Sequence, residues 1–154
     1  MATVQAIIAS PLGSLILTAS DGSLTQLGWT DDMPLSPSND PVLCAANEQL
    51  DAFFDNPGST FDLPLAAAGN TFEHAVWGCM LEIPSGATMT YGDIARRIGM
   101  PAQAVGGACG RNPIPIIIPC HRVVGANGQM TGYSGHGGVE TKQWLLRHEG
   151  VLLL

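Results

Sequence analysis

A thiol, an imidazole and a guanidinium stand in consecutive positions at Cys120, His121 and Arg122. They follow the apolar run Ile114-Pro115-Ile116-Ile117-Ile118-Pro119 and precede Val123-Val124. The apolar run carries the backbone inward, and Pro119 removes one backbone donor and biases Ile118 towards an extended conformation. A cysteine at the end of a buried segment, with a histidine beside it and an arginine next, has the surroundings of an activated thiolate. The competing reading is a core cysteine at a strand end, since free cysteine is among the most buried residue types. Residue types alone leave both readings open.

The elements that must position these groups are bounded by the composition. With 154 residues, 45% of them hydrophobic, and a mean hydropathy of +0.20, the chain has enough apolar material for one ordinary domain or two small ones. No run of about 18 apolar residues is present, so no membrane-spanning helix is expected. The first five residues, Met1-Ala2-Thr3-Val4-Gln5, lack the basic start of an export signal. The cysteines at 44, 79, 109 and 120 show no C-x-x-C pairing and read as thiols in a reducing compartment. A cytoplasmic protein, or a nuclear one in a eukaryote, is the expectation.

The net charge of −7 argues by itself against a nucleic-acid partner, but its distribution is uneven. Residues 1–71 hold eight acidic and no basic groups, whereas residues 72–154 hold five acidic and all six basic ones. Such asymmetry suggests two domains, with the acidic one serving solubility.

The N-terminal part reads as an antiparallel meander. Residues 3–9, 14–19 and 24–29 favour strands, separated by turn chemistry at Ser10-Pro11-Leu12-Gly13 and Asp21-Gly22. A helix is predicted over 42–54 from Leu43, Ala46, Leu50, Phe53 and Phe54, and an edge strand over Phe61–Leu65. Residues 66–70 read as a linker. Thr71 is a candidate N-cap for a helix with Phe72, Ala75, Val76, Cys79, Met80 and Ile83 on its apolar stripe, leaving His74 at the surface. Thr90 and Asp93 have capping-box spacing for the next helix, whose apolar face is Ile94, Ala95 and Ile98, with Arg96 and Arg97 off it.

After Gly99-Met100, Pro101 suits a first helical turn, and Ala102–Gly110 forms a short helix of small residues. Two short helices across a glycine-containing turn match a helix-turn-helix, whose second helix could approach a DNA minor groove or pack inside the protein. Asn112-Pro113 ends it. Residues 131–138 form a glycine-rich loop that is not a phosphate loop. The last helix, 139–148, has Val139, Trp144, Leu145 and His148 near one face and ends at Glu149-Gly150.

With these motifs in order, the chain resembles the O6-alkylguanine-DNA alkyltransferases, the methylated-DNA–protein-cysteine methyltransferases. The resemblance rests on Ile118-Pro119-Cys120-His121-Arg122-Val123-Val124. It is supported by Asn112-Pro113, Val105-Gly106-Gly107-Ala108, Thr90-Tyr91-Gly92, Gly132-Tyr133-Ser134-Gly135 and Trp144-Leu145-Leu146-x-His148-Glu149-Gly150. It covers residues 71–150 well and 1–65 in outline. It implies an α+β chain: a small ribonuclease H-like α/β domain over 1–65, a linker over 66–70, and a mainly helical DNA-binding alkyltransferase domain over 71–154.

The resemblance also implies a reaction. Cys120 would take the alkyl group from O6 of guanine in double-stranded DNA, or from O4 of thymine, once and irreversibly, with no cofactor or metal. His121, through a water, would draw the thiol proton, and Glu149 would hold the imidazole. The damaged base must leave the duplex to be reached. Tyr91 would help rotate it and donate a proton, the backbone around Ser134 would bind O6 with Tyr133 as a further DNA or substrate contact, and the carbonyls of Val123 and Cys120 would read the base edge. Asn112 would brace the turn. Gln103, Ala104, Gly107 and Ala108 would lie in the minor groove, with Arg111 and Arg122 as further DNA or substrate contacts, and the protein would act as a monomer.

One position departs from the family. An arginine usually stands two residues before Val-Gly-Gly and fills the stack that the flipped base leaves, whereas this chain has Gln103. Glutamine is uncharged and stacks less well, so weaker duplex binding that falls steeply with salt is expected. Two other functions compete. A lesion-binding protein without transfer, of the alkyltransferase-like type, would lack the cysteine that this chain keeps. A thiol hydrolase would turn over many times.

Overall fold

The computed structural model describes residues 3–34, 39–130 and 137–151, and the chain divides into two compact units, Met1–Ala68 and Gly69–Leu154. In the first unit, β1 (Thr3–Ile8), β2 (Leu15–Ser20) and β3 (Ser23–Trp29) form an antiparallel sheet in the order β1-β2-β3. The β2–β3 turn places Asp21 and Gly22 at φ of 52° and 79°, the left-handed pair that a tight hairpin requires. α1 (Pro41–Asp55) starts at Asp40, whose carboxylate accepts from the Leu43 N–H. It buries Val42, Leu43, Ala46, Leu50 and Phe53 and packs on the sheet, while Phe54 is only half-buried.

The expected edge strand over 61–65 is a correction. Only Leu65 makes a bridge, parallel to Leu24, with Leu24 N donating to Pro64 O and Ala66 N to Leu24 O. Pro64 has no N–H to continue a ladder.

The second unit is helical: α2 (Thr71–Leu81), α3 (Tyr91–Ile98), α4 (Ala102–Gly110) and α5 (Gly138–His148). α2 is capped by Asn70 rather than by Thr71. Asn70 accepts from Glu73 N, and the Glu73 carboxylate accepts from Asn70 N, a complete capping box. Ala75, expected on the apolar stripe, is exposed, and Trp77 is buried in its stead. Gly69 lies so close to the Trp77 ring that a Cβ would stand 2.5 Å from it.

α3 opens with the Thr90–Asp93 capping box and stops at Gly99, in the left-handed conformation at φ 73°. Pro101 is the residue flanking α4 at its N-terminus rather than part of its first turn. Two residues of strand, β4 (Met89–Thr90), run parallel to β5 (Val123–Val124), pairing Met89 with Val123 and Thr90 with Val124. This ladder sets the start of α3 beside the segment that carries Cys120.

Candidate active site

The residues that approach the thiol do not form a strand. Residues 113–119 run through a series of turns, and Ile116 adopts φ 74°. A β-branched residue there is strained by about 1–3 kcal/mol and persists only where its surroundings over-determine it. Asn112 supplies much of that constraint. Its Nδ2 donates to Ile118 O at 2.8 Å, and its Oδ1 accepts from Ile114 N at 3.0 Å, so one buried side chain holds both ends of the loop. Ile118 O also accepts from Cys120 N at 2.8 Å, around Pro119 at φ −82° and ψ 68°. That is an inverse γ-turn, whose φ the pyrrolidine ring already favours.

Cys120, His121 and Arg122 then form a single 3₁₀ turn, packed against α5 and the end of α2. Cys120 and His121 are buried. His121 Nε2 lies 2.9 Å from Glu149 Oε2, at the C-terminal cap of α5. Burial holds the imidazole below its usual pKa; Glu149 opposes this, and the Arg122 and Lys142 charges add to it. The ring is therefore neutral, its Nε2–H donates to the carboxylate, and Nδ1 keeps a lone pair. Nδ1 is buried and has no hydrogen-bond partner among the described residues. A buried imidazole with one nitrogen anchored and the other basic is built to accept a proton.

Arg122 completes the group. Its Nε and Nη2 meet Glu149 Oε1 and Oε2 at 2.9 and 2.6 Å, and Nη1 donates to Ile83 O at 2.6 Å. Burial pushes the Glu149 carboxyl up, but the hydrogen bonds from His121 and Arg122 prevail and bring it down to about 2. Arg122 was expected to touch DNA or substrate. The structure commits its guanidinium to Glu149 and to the end of α2, which makes it a clamp within the protein.

Tyr91 is half-buried at the first position of α3, next to β4, and thus across the ladder from the Cys120 turn. Lys142 on α5 is fully buried, with Nζ 5.7 Å from the centre of the Tyr91 ring. The sequence reading missed it. The expected buried face of α5 was Val139, Trp144, Leu145 and His148, but the buried set is Thr141, Lys142, Leu145 and Leu146, while Trp144 and His148 are only half-buried and stack on one another. The available signal was the spacing of Lys142 and Glu149, seven residues apart and so on one helical face.

On α4, Gln103 is exposed, while Ala104 and Gly107 are partly so. Ala108 is a correction: its side chain is completely buried, and its carbonyl accepts from Trp77 Nε1 at 2.9 Å, so it anchors α4 to α2 instead of facing outward. Arg111 forms an ion pair with Glu73 and lies across Gly107. Val123 is fully buried, which leaves only its backbone for recognition. Tyr133, Ser134 and His136 lie outside the described residues. Cys79 is buried as expected, as is Cys109, whose sulfur is 3.7 Å from that of Met80, and Cys44 is half-buried. Among the described residues, no three or more His, Cys, Asp or Glu side chains gather as metal ligands, and no helix is long and apolar enough to cross a membrane.

Family comparisons fit this geometry. The family model described as "6-O-methylguanine DNA methyltransferase, ribonuclease-like domain" matches residues 3–67, and that described as "6-O-methylguanine DNA methyltransferase, DNA binding domain" matches residues 71–151. A methylated-DNA–protein-cysteine methyltransferase of Methanosarcina acetivorans is 42% identical over 153 residues, covering 94% of this chain and 97% of the relative. The crystal structure of Mycobacterium tuberculosis OGT in complex with DNA is similar with a TM-score of 0.79 and 45% identity, over 93% of this chain and 90% of that one. S. pombe Atl1, in complex with damaged DNA containing O6-carboxymethylguanine, is similar over 56% of this chain and 82% of its own, with a TM-score of 0.50 and 32% identity.

Proposed function

The chain belongs to the 6-O-methylguanine DNA methyltransferase family, and from that premise we propose that it repairs DNA by moving an alkyl group from O6 of guanine to Cys120, once per molecule. The observation that carries this reading is the buried Cys120–His121–Glu149 constellation, with Nε2 of the imidazole fixed on the carboxylate and Nδ1 left basic.

The thiol proton passes through a water to His121 Nδ1. The thiolate attacks the alkyl carbon, a sulfur–carbon bond forms, and the carbon–O6 bond breaks with its electron pair left on O6. The guanine anion takes a proton from the Tyr91 hydroxyl. Stable thioether formation explains why no second turnover follows.

The substrate is double-stranded DNA carrying O6-alkylguanine, with O4-alkylthymine as a second lesion. The base is flipped from the duplex. α4 enters the minor groove through Gln103, Ala104 and Gly107, the last two small enough to permit close approach. The Val123 and Cys120 carbonyls read the base edge, and the family resemblance assigns O6 to the backbone around Ser134, which lies outside the described residues. The protein acts as a monomer in the compartment that holds the DNA.

Incubation with an oligonucleotide labelled at the O6-methyl group tests this. Label should move to the protein at one equivalent, on Cys120, and Cys120→Ala should take none. Absence of transfer at stoichiometric protein overturns it, and tight lesion binding with Cys120 unmodified would favour the non-transferring type.

A further inference from the structure

Arg111 is the only lysine or arginine between Arg97 and Arg122. Gln103, Gly107 and Arg111 follow at four-residue steps, so they line one side of α4, and both Gln103 and Arg111 are exposed there. Arg111 is the C-terminal cap residue of the helix, with its N–H bonded to Gly107 O and Ala108 O. Its side chain turns back along the helix. A Cβ added at Gly107 would stand 3.1 Å from Nη1 and 3.7 Å from Nη2, so the guanidinium rests on a surface that only glycine leaves bare.

Two features set Arg111 apart from the other paired arginines. Its partner is itself fixed. The Glu73 side chain is 10% exposed, its Oε1 accepts from Asn70 N in the capping box of α2, and its Oε2 accepts from Arg111 Nε. The bond from Arg111, and after it the Asn70 N–H, hold the Glu73 carboxyl below its usual pKa, so it keeps its charge. The second feature is which nitrogen is used. Arg96 and Arg97 meet their carboxylates through Nη2, and Arg122 uses all three nitrogens. Arg111 uses Nε, and its Nη1 and Nη2 donate to no acceptor among the described residues. The side chain is 56% exposed, so a ligand can reach that end.

A guanidinium held at Nε keeps a two-pronged fork for a second anion, matched to two oxygens of one phosphate. We propose that Arg111 grips one phosphate of the duplex backbone through Nη1 and Nη2, with Glu73 as the positioning residue that sets the fork against Gly107. This inference rests on α4 facing DNA, and it names the cation by which a helix of otherwise uncharged residues holds its ligand. Glu73 also tempers the grip, because its charge competes with the phosphate for the same guanidinium. One such contact leaves the overall salt dependence shallow.

The test is binding of a short undamaged duplex by fluorescence anisotropy between about 50 and 200 mM salt. It needs neither lesion nor transfer, so the loss of this contact and the failure of repair are separate results. Arg111→Gln should weaken binding about tenfold at the low end and flatten the slope of log affinity against log salt. Arg111→Lys should keep the slope and lose part of the affinity, since the charge stays and the fork goes. Glu73→Gln preserves the capping box, because glutamine also serves at that position. It should tighten binding and steepen the slope by up to about 0.9, and it should do neither in the Arg111→Gln background. Equal slopes in wild type and Arg111→Gln overturn the proposal, as does a Glu73→Gln effect of the same size in both backgrounds. A wild-type chain that does not bind the duplex overturns it too, whatever label transfer shows. Should Arg111→Gln fail to fold, Arg111→Lys and Glu73→Gln decide: an unchanged slope and affinity in Glu73→Gln overturns the proposal.

Discussion

Arg122 Nη2 stands 2.6 Å from Glu149 Oε2, the oxygen that also faces His121 Nε2 at 2.9 Å. One carboxylate therefore anchors both the imidazole and the guanidinium, and the guanidinium ties the pair to the segment just after α2 through Ile83 O. Neither side chain of the ion pair has much water: the Arg122 side chain is 12% exposed and that of Glu149 is 0%.

Arg122→Met should therefore be costly, because it leaves Glu149 buried without its cation. We expect a loss of about 3–5 kcal/mol in urea unfolding and slower transfer, since His121 loses its fixed partner. Adding Glu149→Gln to Arg122→Met should recover part of the stability without recovering transfer. Additive losses in the double variant would show that the two side chains do not act as a unit.

Acid should destabilise the fold early. The Glu149 carboxyl is held down at about 2, against 4.5 ordinarily, so its stabilisation is present above the ordinary value and is lost as pH falls towards 2. His121 is held below 6.5, so the unfolded chain binds its proton first and stability begins to fall as pH drops through 6.5. Both slopes have the same sign. Unfolding free energy measured from pH 8 to pH 4 should decline from near neutrality, with Glu149 contributing on the order of 2 kcal/mol over the full acid range. Stability that is flat between pH 7 and 5 would contradict a neutral, buried His121.

Asn112→Ala should damage both fold and chemistry. It removes the donor to Ile118 O and the acceptor for Ile114 N, leaving two buried backbone groups with a lost partner. The expected destabilisation is about 2–4 kcal/mol. Asn112→Asp keeps only the acceptor and should fall between wild type and Ala. A transfer rate unchanged in Asn112→Ala would show that the loop holds Cys120 without this bridge.

Duplex affinity should be low, and its dependence on salt shallow instead of steep. Arg96, Arg97, Arg111 and Arg122 are each ion-paired with a carboxylate of the protein, and Lys142 is buried. Few cations remain to displace counterions, so the slope of log affinity against log salt should be shallower than about −4. Gln103→Arg places a stacking cation at the exposed start of α4 and should tighten binding by roughly 1 kcal/mol, about fivefold. A gel-shift titration over salt concentration reads both effects.

Features governed by neighbours in sequence were legible before the structure. The Thr90–Asp93 capping box, the Asp21-Gly22 hairpin turn and the span of α4 depend on residues a few positions apart, and all three are present. What was hidden depends on distant partners. Arg122 read as a DNA or substrate contact because its partners Glu149 and Ile83 lie 27 and 39 residues away. Lys142 was given no place in the site because lysine is almost never buried. Residues 114–118 have strand composition but fold as turns, with Asn112 taking Ile114 N and Ile118 O, the backbone groups that a neighbouring strand would need, and Cys120 N also bonded to Ile118 O around Pro119. Trp77 displaced Ala75 from the buried face of α2 because its indole N–H reaches Ala108 O on another helix.

The short β4–β5 ladder has a consequence for how the reaction is timed. Thr90 pairs with Val124, one residue before Tyr91 and two residues after Arg122. Tyr91 and the Cys120 turn thus ride on a shared piece of backbone, and their spacing is set when the chain folds, before any duplex arrives. In the proposed reaction an extruded nucleotide would meet a frame already assembled, so the entropy of bringing the reacting groups together would not be charged against the encounter.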